Sequence, residues 1–347
     1  MREESWMKTA LRAGALALLV GLTACEREVL NPAGDLAAQQ RDLIYFSTAI
    51  MLLVIVPVII MVVVFAWKYR ASNKTARYDP KFHHSTALEL GIWSIPLLVI
   101  ICLGAVTWSS THLLDPFRRL DRIEEGRPTN PDEAPMVVQV VSMDWKWLFI
   151  YPEQNIATVN ELVLPVDREV RFDITSTNMM NTFYAPTMAG MIYAMPGMRS
   201  QLHAVLNRES VSEGFSANYS GAGFSHMRFQ LRAVSDGEFE QWVRQVQAVG
   251  EPLTTPAYLE LERPTERHPV ELYSATPNGL FARIVNRCVA PGTACISEHM
   301  AHAGHTLPVT GEPARSGERG PQGDAHAPAP SAHDAPVTGS TAHGSQH

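Results

Sequence analysis

Two long apolar runs, then a stretch in which apolar residues recur at every second position, then a polar tail divide this chain of 347 residues before any single side chain is considered. Residues 43–67 carry no charged side chain, and a helix needs about 20 such residues to cross a hydrocarbon core of about 30 Å. The run therefore predicts a transmembrane helix. Pro57 lies inside it, where a kink is tolerated, and Trp67 and Tyr69 fall where aromatic side chains gather at a bilayer surface. The second run, residues 88–108, is interrupted only by Glu89 near its start and closes on Trp108. It too predicts a span.

Beyond these runs the period is two. Val138, Val140 and Ser142, then Trp145, Trp147, Phe149 and Tyr151, then Val170, Phe172 and Ile174, and later Met227, Phe229, Leu231 and Ala233 alternate with mostly polar neighbours. Such alternation predicts half-buried strands of an antiparallel sandwich. Pro165, Pro186, Pro196-Gly197 and Gly221 punctuate them, so residues 136–234 read as a Greek-key sandwich of roughly 100 residues. After Val234 the period becomes helical: Ser235 and Glu238 form a capping box ahead of Phe239, Trp242, Val243 and Val246, which share one helix face. Residues 112–135, with Pro116, Gly126, Pro128, Pro131 and Pro135, read as a linker without regular elements. In the C-terminal extension, residues 235–300, the part after Gly250 mixes turns with a short amphipathic piece at 280–285 and has no assignable place. Residues 301–347 are rich in Gly, Pro, Ala, Ser and His and too poor in large apolar side chains to offset the cost of ordering, which predicts a disordered tail. The whole reads as an α+β membrane protein: a two-helix transmembrane hairpin, a β-sandwich, a C-terminal helix and a disordered tail.

Charge orients this arrangement. Between the two apolar runs, Lys68, Arg70, Lys74, Arg77 and Lys81 stand against a single acid, Asp79, which puts that loop in the cytoplasm. At the start of the chain, Arg2, Lys8 and Arg12 flank a shorter apolar run, residues 13–22, with the length of a signal peptide and not of a span. It ends in Leu22-Thr23-Ala24-Cys25, which resembles a bacterial lipobox. Residues 1–24 are then a lipoprotein signal peptide, Cys25 is lipidated, and residues 25–111 form a lipid anchor and two helices in the plasma (inner) membrane. An ordinary signal peptide with a chance cysteine is the alternative. Either way the large domain lies in the periplasm. A net charge of −7 gives no reason to expect nucleic acid. The four cysteines are too scattered for a zinc framework. Cys102 falls in the second span as a small apolar residue. Cys288 and Cys295 flank Pro291-Gly292 in an oxidising compartment, where a local disulfide is expected. The tail histidines, among them His299, His302 and His305, read as solvated.

The candidate chemistry lies in the stretch from Gly214 to Met227. Ser216, Ser220, Phe224 and Met227 reproduce the spacing Cys-x3-Cys-x3-His-x2-Met, with Asn218 between the first two. That spacing is similar to the ligand loop of the dinuclear copper centre in subunit II of cytochrome c oxidases. Upstream, the segment Asn178-Met179-Met180-Asn181-Thr182-Phe183-Tyr184-Ala185-Pro186 resembles the one that supplies the remaining histidine, and Asn181 stands in its place. Hydroxyl, amide and phenyl groups cannot replace soft thiolates and imidazoles as copper ligands, and a lone Met227 is no copper site. The metal is therefore expected to be none. Together with Val141-Ser142-Met143-Asp144-Trp145-Lys146-Trp147 and Ile192-Tyr193-Ala194-Met195-Pro196-Gly197-Met198, this pattern resembles subunit II of the quinol-oxidising branch of the haem-copper oxidases, the bo-type ubiquinol oxidases.

The resemblance implies a cupredoxin-like domain that has lost its copper, in a subunit of a proton-pumping ubiquinol oxidase that reduces oxygen to water. No cofactor is bound by this chain; haems and copper belong to the partner subunit I, and ubiquinol is the substrate of the complex. Partners are that haem-copper subunit, smaller membrane subunits and membrane lipid, with no cytochrome c. No residue of this chain is catalytic. Glu89, ahead of Trp93 and Pro96, matches a glutamate at the entrance of the proton channel named for its lysine, whereas on physical grounds alone it is an interfacial carboxylate reaching water. Trp145 and Trp147 are expected to pack, since no copper receives electrons from them, and Phe224 to fill the vacated site. A different class of function, a membrane-anchored periplasmic copper-binding protein or chaperone, would use Met191, Met195, Met198 and the tail histidines.

Overall fold

The computed structural model describes residues 28–76, 84–130 and 132–298. Cys25, Arg77, Asp79, Lys81, the signal peptide and the tail lie outside the described residues. The two apolar runs form helices α1 (Asp35–Lys68) and α2 (Thr86–Leu113), longer than the predicted spans 43–67 and 88–108. Most side chains along both apolar runs are exposed, as a helix surrounded by hydrocarbon requires. The extra length of α1 is its polar first part, which is rooted in the sandwich and not in the membrane. Ala33 and Gly34 donate their backbone N–H groups to Thr187 O at 2.7 and 3.0 Å, and Asn207 N–H reaches Ala33 O at 2.7 Å. A Cβ on Gly34 would lie 2.2 Å from Val205 O, so only glycine fits this junction.

Residues 112–135 are not the irregular linker the sequence predicts. Strands β1 (Arg122–Glu124) and β2 (Arg127–Pro128) make a small antiparallel hairpin turning at Gly126, whose φ is +81°. Charge pairing straps it down: Arg122 Nε meets Asp35 at 2.9 Å, Arg127 pairs with Asp167, and Arg119 Nε meets the buried Glu169 at 3.1 Å. Glu169 also accepts from Leu120 N–H at 3.1 Å and sits 2.8 Å from His203 Nδ1.

The sandwich contains β3 (Met136–Met143), β4 (Lys146–Tyr151), β5 (Ile156–Val159), β6 (Glu161–Pro165), β7 (Val170–Ser176), β8 (Asn181–Tyr184), β9 (Ile192–Ala194), β10 (Ser200–Ala204), β11 (Ser210–Ser216) and β12 (Arg228–Val234). Helix α3 (Asp236–Val249), β13 (Glu251–Pro252), helix α4 (Thr255–Leu261), β14 (Glu271–Ala275) and helix α5 (Leu280–Val285) follow. One sheet runs β10-β7-β3-β4-β5-β14-β13 and the other β6-β12-β11-β8-β9. The sheets are mixed where antiparallel ones were expected, because β3 pairs β7 and β12 pairs β6 in parallel.

The period-two apolar set faces the space between the sheets: Val138, Val140, Trp147, Phe149, Tyr151, Phe172, Ile174, Met227, Phe229, Leu231 and Ala233 share one core. The capping box at Ser235 and Glu238 starts α3, which closes the edge of that core with Phe239, Trp242 and Val246. Strand β4, however, is buried on both faces and not half-buried. Its other face, with Val141, Met143, Leu148 and Ile150, forms a second core with Leu253, Tyr258, Leu261, Leu280, Phe281 and Ile284. The unplaced residues after Gly250 are thus the cover of the outer face, and β14 extends the sheet by pairing β5. Cys288 and Cys295 are joined by a disulfide at the end of this cover.

Removing a buried ring from the second core by Phe281→Ala should cost about 3–5 kcal/mol, read as a lowered urea midpoint of unfolding. Burial raises the Glu169 pKa, but the His203, Leu120 and Arg119 hydrogen bonds outweigh it, so the folded value lies below the ordinary 4.5. Its contribution to stability is therefore present above pH 4.5 and is lost as pH falls through the folded value. Glu169→Gln should flatten the acid limb of a stability–pH curve in that window.

Candidate functional site

Three chain segments converge at one end of the five-stranded sheet. Asn181 opens β8, Ser216 ends β11, and a 3-10 turn, Phe224–His226, delivers Met227 to the start of β12. Ser216 N–H donates to Met227 O at 3.1 Å, and its hydroxyl donates to Asn181 Oδ1 at 3.0 Å. The Asn181 amide donates in turn to Met179 O at 3.3 Å, and the Asn218 amide to Met180 O at 3.0 Å. Four of the six positions singled out by spacing, Asn181, Ser216, Asn218 and Met227, are therefore held together. Met227 is fully buried in the inter-sheet core.

The other two differ. Ser220 is buried, and its hydroxyl has no hydrogen-bond partner among the described residues. Phe224 does not fill the site: it is half-buried and meets the exposed ring of Tyr219 edge to face at 5.6 Å. The loop is covered instead by Trp145, whose indole N–H donates to Ser220 O at 3.0 Å. A Cβ on Gly223 would stand 2.5 Å from that indole. The glycine makes the close approach possible, and the turn between β3 and β4 aims the ring, since Trp145 takes φ +68° in a two-residue connection closed by the Met143–Lys146 pair.

The neighbouring residues of the motif divide by pleat. Trp147 points inward against Phe183 at 5.5 Å and Phe229 at 5.9 Å. Lys146 points the other way and is fully buried, its ammonium donating to Arg263 O at 2.7 Å and to Thr265 Oγ1. Burial lowers the Lys146 pKa, and the fields of Asp144 and Glu271 partly restore it.

Chemically the cluster offers hydroxyl oxygens, amides, a thioether and a phenyl ring. These do not fit a dinuclear copper centre, which needs thiolate and imidazole donors. Among the described residues no group of three His, Cys, Asp or Glu side chains is placed to hold a metal. Met191 and Met198 are exposed.

Glu89 lies in the first turn of α2, and Oε1 is 2.7 Å from His84 Nδ1. His84 Nε2 is 3.3 Å from Thr86 Oγ1, so both ring nitrogens are engaged. The sequence reading missed His84. Its signal was available in a histidine just before a helix whose first turn carries an acid.

Titration of the purified chain with cuprous or cupric ion should give no stoichiometric tight binding and no thiolate-to-copper absorption band.

Residues 151–234 match the family model of the cytochrome c oxidase subunit II periplasmic domain, and residues 247–292 match the COX aromatic-rich motif. The cytochrome bo(3) ubiquinol oxidase subunit 2 of Pseudomonas aeruginosa is 45% identical over 299 residues, covering 86% of this chain and 87% of that protein. The ubiquinol oxidase subunit 2 of Acetobacter aceti is 43% identical over 274 residues, 79% of this chain and 87% of the relative. Among solved structures, the periplasmic domain of subunit II of cytochrome oxidase from Bradyrhizobium japonicum aligns at 22% identity and a TM-score of 0.32, covering 33% of this chain and 94% of that one.

Proposed function

The chain belongs to the subunit II family of the haem-copper ubiquinol oxidases, and from that premise we propose that it serves a proton-translocating complex as a subunit without a redox centre of its own. The observation that carries this reading is the donor set around Met227: the Ser216 hydroxyl donates to Asn181 Oδ1, the Asn181 amide donates to Met179 O, and among the described residues no group of His, Cys, Asp or Glu is placed to hold a metal. Electrons then pass from ubiquinol to the haems of subunit I without a stop in this chain.

Anchorage by two membrane-crossing helices and a lipidated Cys25, with the sandwich outside, fits the apolar lengths of α1 and α2 and the basic loop between them. Contact with subunit I gives the hairpin its second role. At the cytoplasmic end, Glu89 and His84 form a pair of titratable groups at the boundary between water and hydrocarbon. A carboxylate in that position is stabilised by its partner and by water. His84 takes a proton from water and Glu89 presents it to the channel of subunit I.

Purification in mild detergent should bring a haem-bearing subunit with this chain. In that complex Glu89→Ala should slow oxygen reduction and proton uptake several-fold, Glu89→Asp should retain more activity, and His84→Ala, which removes the hydrogen-bond partner of Glu89, should slow uptake less than Glu89→Ala. Wild-type turnover in Glu89→Ala would remove the carboxylate from the proton path.

A further inference from the structure

At the end of the sandwich that holds Met227, the space between the sheets turns from apolar to polar. The inward side chains are Met136, Val138 and Val140 along β3 and Val170, Phe172 and Ile174 along β7. The next inward position on each strand is a serine, and these two, Ser142 and Ser176, are register partners. Ser216 at the end of β11 and Ser220 in the loop beyond it bring two more serines to the same end of the sandwich. All four are at most 3% exposed. Small polar side chains thus take over where large apolar ones stop, which leaves room between the sheets.

Two of the four hydroxyls are accounted for. Ser176 donates to Met179 O and Ser216 to Asn181 Oδ1. Ser142 Oγ and Ser220 Oγ have no partner among the described residues, and neither has the Trp147 indole N–H. Trp147 stands directly opposite Ser142 across β4 and β3. Their backbones point away from each other, Trp147 N–H to Asn160 Oδ1 and Ser142 O to the Thr177 N–H. That is a non-hydrogen-bonded pair, in which the two side chains come closest. The Trp147 ring is packed against Phe183 and Phe229 and cannot turn out to solvent for an acceptor.

The three orphaned groups select what can sit among them. An indole N–H repels a cation and needs an acceptor. An anion would lack a counter-charge, because the Lys146 ammonium lies on the other face of β4. An apolar molecule would leave all three groups unpaired. A neutral molecule that both donates and accepts satisfies each of them, and a buried water makes about three such bonds. We infer that one water molecule is bound between the sheets here, accepting from Trp147 Nε1 and hydrogen-bonded to the Ser142 and Ser220 hydroxyls. It ties the Ser220 loop to β3 and β4 from inside, as the Trp145 indole ties that loop from outside. The site belongs to the sandwich and does not depend on the oxidase reading.

The sign of a substitution at Ser142 tests the inference in the full-length chain in detergent, with unfolding of the sandwich followed by near-ultraviolet circular dichroism in urea. With the water bound, Ser142→Ala removes one of its partners and lowers the midpoint; in a dry layer the same change deletes an unpaired hydroxyl and raises it. Ser220→Ala should shift the midpoint in the same direction as Ser142→Ala. Ser142→Val, which fills the space, should displace the water and lower the midpoint further. A density map of the wild-type chain at a resolution that shows ordered water should carry one peak within hydrogen-bonding distance of Trp147 Nε1, and the map of Ser142→Val should not. A raised midpoint in Ser142→Ala, no peak in the wild type, or a peak that anomalous scattering identifies as a metal overturns the inference.

Discussion

No side chain fits where the first helix leaves the sandwich. The backbone of Gly34 lies against Val205 O and Met188 O, and Thr187 O accepts from two successive N–H groups there. Helical hydrogen bonding begins directly afterwards, so the first turns of α1 belong to the periplasmic body and carry its direction into the membrane run. The strap over residues 116–130 adds a second connection from the other helix, through Arg122 to Asp35 and Arg119 to Glu169. Two attachments, one of backbone and one of charge, resist rotation in a way that a single flexible linker does not. The position of the sandwich over the hairpin, and with it the position of the loop around Met227, follows from that junction.

The pocket around Met227 is held by neutral groups. A hydroxyl donating to an amide oxygen is a neutral hydrogen bond with a net contribution of about 1 kcal/mol, far less than a set of metal–thiolate bonds. The loop therefore needs other support. Trp145 supplies it from outside by covering Gly221 and Gly223, and Met227 supplies it from inside by burial in the core. Not every polar group here is paired: Ser142 and Ser220 hydroxyls and the Trp147 indole N–H are buried without a hydrogen-bond partner among the described residues. An unsatisfied group of this kind costs about 1–3 kcal/mol.

Period and spacing made much of this legible. Phe149, Phe172, Phe229 and Leu231 alternate with polar neighbours and do face the inter-sheet core, and Ser235 with Glu238 does cap a helix. The loop spacing pointed to Ser216 and Met227 and the upstream segment to Asn181, and the pairing of β11 with β8 brings these residues together. What was not legible has local causes. Tyr258 and Leu261 sit on a helix too short to show a period, and the amphipathic piece at 280–285 does not reveal what it covers, so the cover over β4 could be found only from what it buries. The loop position of Phe224 suggests a ring that fills the site, but position does not reveal that the two glycines let the Trp145 indole cover the loop. The strap was hidden by its prolines, which mark turns but do not reveal the arginine pairs that tie those turns down.

Lys146 explains why the cover and the loop are coupled although they lie on opposite faces of one sheet. Its ammonium is removed from water, and the acceptors that compensate are Arg263 O and Thr265 Oγ1, both in the cover. The next residue back is Trp145, whose indole holds the Ser220 loop. A displacement of the cover would therefore either expose the ammonium to an apolar surface without acceptors or pull on the turn that aims the indole. An apolar side chain at 146 would avoid the desolvation of the charge but remove the donor from which the Arg263 carbonyl accepts. Lys146 thus ties residues 263–265 to the 144–145 turn, and Trp145 ties that turn to the loop ending at Met227.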